Sequence, residues 1–126
     1  MKCTTFLSTT GIVGILFGLG FLLAPEAVAP LYGVPIEPHT MMMDRYFGGT
    51  LLWVGLVSWL ARGVRDDAAL RAILQASVVG NVVGLVISAW AVLAGLLNAM
   101  GWSSATLYAL LLLGSLYFLG SPTRRA

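Results

Sequence analysis

Four long apolar stretches, separated by short polar or Pro/Gly-rich connections, set the pattern of this chain. Each comes close to the roughly 20 apolar residues that a helix needs to cross a bilayer. The first covers about residues 6–24 and ends at Pro25, because proline cannot continue a helix. The second covers about 41–61, between Thr40 as N-cap and the Arg62-Gly63 pair. The third, about 68–97, follows Asp66-Asp67, either of which can cap its N-terminus. The fourth, about 104–120, opens at Ser103-Ser104 and closes at Gly120-Ser121-Pro122, a glycine-then-proline stop. The pattern predicts an all-α polytopic membrane protein: one domain over residues 1–126, folded as an antiparallel bundle of four transmembrane helices. The first stretch also invites reading as a cleaved signal, with Met1-Lys2 ahead of it and Ala27-Val28-Ala29 after it. Pro30 would then follow the cut and the apolar run is long for a signal, so a retained span is expected.

Lipid supplies no hydrophobic drive for helix association, so small residues that let backbones approach must do much of the packing. The first span carries Thr10, Gly14 and Gly18 at four-residue steps. The second carries Gly48, Gly55 and Ser58 on one stripe, between Asp44 and Arg62. On the third lie Ser77, Asn81, Gly84, Ser88, Ala91 and Gly95, and on the fourth Ser104, Tyr108 and Ser115. At about 1.5 Å per residue, Asn81, Ser58, Ser115 and Thr10 fall at one depth. They form a candidate polar layer, since an unpaired amide in hydrocarbon costs several kcal/mol. Asn81 is expected to bond Ser58 or Ser115 as structural glue worth about 1 kcal/mol.

Composition sharpens the class. Hydrophobic residues make up 59% and charged residues 10% of the 126, against about 25% charged in soluble domains. A small fold has too much surface to cover with so few charges. The single cysteine, Cys3, excludes an intramolecular disulfide framework and paired-thiol chemistry. A net charge of +2 is too small for a nucleic-acid partner. Lys2, Arg62, Arg65, Arg71, Arg124 and Arg125 fall on one side of a four-span chain and Arg45 alone on the other. By the positive-inside rule both termini face the cytoplasm, in a cytoplasmic or inner cell membrane. The Pro25–His39 connection and the Asn98–Trp102 turn are then external.

Candidate chemistry is sparse. The membrane interior holds no Asp, Glu, Lys, Arg or His apart from the outer end of the second span, which disfavours a proton-coupled pump with a mid-membrane carboxylate. Glu26, Glu37, His39, Asp44 and Arg45 cluster at the outer surface. Arg45 is the one charge that topology does not explain: it suits an ion pair, a lipid phosphate or an anionic headgroup. Trp90 and Tyr108 are placed to line an outer-half cavity. The expected ligand-binding set is therefore Arg45, Asp44, Asn81, Trp90 and Tyr108. Trp53 lies mid-membrane on the face opposite Asp44 and Gly55, which turns it toward lipid or a neighbouring subunit. One histidine with loop carboxylates at no recognised spacing does not make a metal site. No cofactor and no catalytic set is expected, because the only His is external.

The segments FLLAPEAVAPLYGVP and DRYFGGTLLWVGLVSWLAR, within residues 11–62, resemble small four-span bacterial integral membrane proteins of unknown function, the DUF4345-like group. That resemblance implies a bacterial cytoplasmic membrane and a four-helix bundle, and it brings no catalytic residues. The functional expectation is a non-enzymatic membrane protein, a homodimer or accessory subunit of a larger membrane complex, that binds a lipid or other apolar ligand near Arg45. The alternative is a small dimeric channel or facilitator whose path is lined by Asn81, Ser58 and Ser115.

Overall fold

The computed structural model describes residues 2–121, which are helical with no strand. Its helices are α1 (Cys3–Leu23), α2 (Pro25–Val28), α3 (Pro38–Ala61), α4 (Asp67–Leu93) and α5 (Gly101–Leu119), with a 3-10 turn at Ala29–Tyr32 after α2. Arg124 and Arg125, which weigh in the charge count, and Pro122 lie outside the described residues. Three helices, α1, α4 and α5, are long and apolar enough to cross a membrane. Large apolar side chains such as Leu16, Leu23, Val79, Leu93, Leu110 and Leu113 are exposed along them, a surface that lipid tolerates and water does not. The protein is a helical membrane protein. Helix α3 has the length, at 24 residues, but His39, Asp44 and Arg45 dilute its first turns.

Local chemistry accounts for the helix ends. Asp66 caps α4 as expected, its Oδ1 accepting from the Ala69 N–H at 2.7 Å. Helix α3 starts ahead of Thr40, with Pro38 at its first position, where a missing N–H costs nothing. Helix α4 stops at Leu93, short of the expected Leu97. Gly95 takes φ +76°, its N–H bonds Val92 O and the Leu96 N–H bonds Ala91 O. These two bonds make a Schellman stop, hidden in the sequence because Leu96-Leu97 prolong the apolar run.

The long helices pair as two hairpins. In the first, α1 and α3 run antiparallel with backbones in contact. A methyl group added to Gly18 would stand 2.5 Å from the Leu52 nitrogen, one on Gly48 2.5 Å from the Leu22 nitrogen, and one on Gly55 2.5 Å from the Ile15 nitrogen. In the second, α4 and α5 meet through side chains: the Tyr108 ring lies against Gly84 and the Val92 side chain against Gly101.

The hairpins join at two places. Beside the α3–α4 turn, a core of Cys3, Phe6, Leu7, Ala61, Leu70, Leu74 and Phe118 draws on all four long helices. There the Phe6 and Phe118 ring centroids are 5.4 Å apart and Phe6 also packs on Gly114. At the opposite end, Asn98 reaches the 3-10 turn: its N–H bonds Tyr32 O at 2.9 Å and its Nδ2 donates to Leu31 O at 3.0 Å. The Pro25–Tyr32 stretch is thus a folded cap, with Pro25, Ala29 and Tyr32 buried and Phe21 packed between Tyr32 and Phe47.

Candidate functional site

Helix α3 divides its faces between packing and exposure. Met41, Gly48, Gly55 and Ser58 are buried. Met42, Arg45, Tyr46, Gly49, Thr50 and Trp53 follow one another at alternating steps of three and one, which places them on a single face. With Leu22 of α1 they line a shallow, wide-open groove of about 570 Å³. Of its lining, Tyr46 and Trp53 are 69% and 67% exposed. A side chain on Gly49 would meet nothing within 4 Å, so this glycine serves no helix contact, unlike its neighbour Gly48. Thr50 turns its hydroxyl back to Tyr46 O at 3.0 Å, which leaves the floor apolar.

One end of the groove is charged. The Arg45 Nη2 donates to Glu26 Oε1 at 3.2 Å, and the two side chains remain 49% and 53% exposed. An ion pair so open to solvent contributes little stability, about 0–1 kcal/mol. Both charges stay accessible to a third group. From Arg45 to Trp53 the groove descends roughly 12 Å along the helix axis.

Of the expected ligand set, Arg45 alone lines this groove. Asp44 belongs to the neighbouring stripe, and its Oδ2 is buried with no hydrogen-bond partner. Trp90 is 60% exposed on α4, Tyr108 is engaged with Gly84, and Asn81 is half-buried on α4. The polar layer does not link up as expected. Ser115 donates to Leu111 O at 2.8 Å and Thr10 to Phe6 O at 2.9 Å, each within its own helix, as hydroxyls readily do. No hydrogen bond joins Asn81 to Ser58 or Ser115 among the described residues. Among those residues no group of His, Cys, Asp and Glu is arranged to hold a metal ion.

Sequence reasoning placed Trp53 on an outward face but did not connect it with Met42, Tyr46, Gly49, Thr50 and Leu22. The available signal was the step pattern on α3, with a glycine left over once Gly48 and Gly55 had been given to packing. No family model matches the chain, and no curated protein or solved structure matches it either.

Proposed function

We propose that the protein is a non-enzymatic membrane protein that holds a lipid or similar apolar molecule in the α3 groove, with Arg45 at the polar end. The observation that carries this is the pairing of one accessible cation with an adjoining shallow, mostly apolar groove. In this reading α3 is the fourth span. It follows α1 from Trp59 beside Gly11 to Gly48 beside Gly18, so a bilayer that α1 crosses is crossed by α3 as well. The four helices then form an antiparallel bundle with both termini on the cytoplasmic side and the groove in the outer leaflet.

The facilitator alternative has less support. Ser58 and Ser115 are packed shut, at 3% and 0% exposure, so within one chain neither opens onto a path. Native mass spectrometry of protein released from lipid nanodiscs tests the binding reading. The expected result is a retained adduct of defined mass that Arg45→Ala loses; a bare wild-type chain would sink the proposal.

A further inference from the structure

Resting on the reading of the α3 groove as a lipid site, we propose that its occupant is a bilayer phospholipid with a primary-ammonium zwitterionic headgroup of the ethanolamine type. Its phosphate sits on Arg45, its ammonium on Glu26, and one acyl chain lies over Gly49 toward Trp53.

Charge complementarity selects the headgroup. The polar end of the groove carries both signs side by side, with Arg45 and Glu26 3.2 Å apart and each about half exposed. Their single bond engages one of the five N–H donors of the guanidinium. The remaining donors suit phosphate oxygens, which a planar fork binds well. A purely anionic headgroup would meet the Glu26 carboxylate beside its only cation. A zwitterion instead places phosphate and ammonium against opposite charges together. The ammonium N–H groups can donate to the carboxylate, whereas a quaternary headgroup has no N–H to offer.

Depth and shape fit the same occupant. Glu26 follows closely on Leu23, the last residue of α1, which puts the ion pair at headgroup level when α1 spans the bilayer. The descent from Arg45 to Trp53, roughly 12 Å, stays within one leaflet of a hydrocarbon core about 30 Å thick. Gly49 keeps the floor open, since any side chain there would project into the trough and not into a neighbouring helix.

The test uses the full chain in nanodiscs of equal parts phosphatidylethanolamine, phosphatidylcholine and phosphatidylglycerol, with retained lipid identified by native mass spectrometry. Phosphatidylethanolamine should be retained about threefold over each of the other two lipids, the scale of an exposed charge pair. Glu26→Gln should abolish that preference while some lipid is still retained. Gly49→Leu should lose retention of all three lipids while circular dichroism and size-exclusion behaviour match the parent; Arg45→Lys, which keeps the charge without the fork, should retain less lipid than wild type. Enrichment of phosphatidylglycerol, or retention in bulk proportions, would overturn the headgroup assignment and leave the lipid groove standing. Retention unaffected by Gly49→Leu in a folded protein would overturn the placement. A wild-type chain that retains no phospholipid would defeat this proposal and the binding reading together.

Discussion

The two helix seams solve the same packing problem differently. Between α1 and α3 the contact is backbone on backbone, and the atoms nearest to Gly18, Gly48 and Gly55 belong to the main chain of the partner helix. Between α4 and α5 a side chain fills a notch, the Tyr108 ring lying on Gly84. Main chain cannot yield without moving a whole helix, whereas a ring can swing about its own torsions. The first seam is therefore closed to any side chain larger than hydrogen, and the second is adjustable. This contrast also explains why the groove lies on α3: a helix held so closely to its neighbour on one face keeps the adjoining face fixed and open.

The largest effect should come from Gly48→Ala, which forces a methyl group against Leu22 and costs about 3 kcal/mol, the upper part of the overpacking range. Gly49→Ala, one residue on, should stay within about 0.5 kcal/mol of the parent. Thermal unfolding in detergent micelles compares the two, and equal losses would break the division of faces on α3. Next, Gly84→Ala should cost about 1 kcal/mol and be relieved when combined with Tyr108→Leu. A double-mutant cycle without coupling would show that the second seam is as rigid as the first. Asn98→Leu removes the side-chain bonds to Leu31 O and from the Met100 N–H, with an expected loss of about 1 kcal/mol. Faster amide exchange at residues 29–33 would trace that loss to the link between hairpins. The smallest effect is a gain: Asp44→Ala deletes a buried carboxylate oxygen without a partner and should raise stability by up to about 1 kcal/mol. A clear destabilisation would mean that this carboxylate is satisfied in the membrane.

Much of the first hairpin was legible in the sequence, because close helix contact in lipid demands small residues and leaves a periodic mark. The small-residue ridges of Gly14, Gly18, Gly48 and Gly55 meet one another across α1 and α3. The cap at Asp66 was equally readable, since it depends on one side chain and the next turn. The α4 stop at Gly95 was not, because a left-handed glycine inside an apolar run looks like any other small residue in a span. The groove escaped for a different reason. Its lining mixes Arg45, Thr50, Gly49 and Trp53, so it has no hydrophobic period, and it also needs Leu22 from another helix. The expected set of Asn81, Trp90 and Tyr108 presupposed helix rotations that only the pairing of α4 with α5 decides.

The aromatic contact between Phe6 and Phe118 bears on how the protein is made. The two rings come from α1 and α5, far apart in the sequence, so α1 leaves the ribosome before its partner exists. The α1–α3 hairpin depends on nearer neighbours and can assemble while α4 and α5 are still being translated. The core around Cys3, Leu74 and Phe118 must wait for the C-terminal turns of α5. Until then Phe6 and Leu7 lack the Phe118 side of the core that covers them in the finished fold.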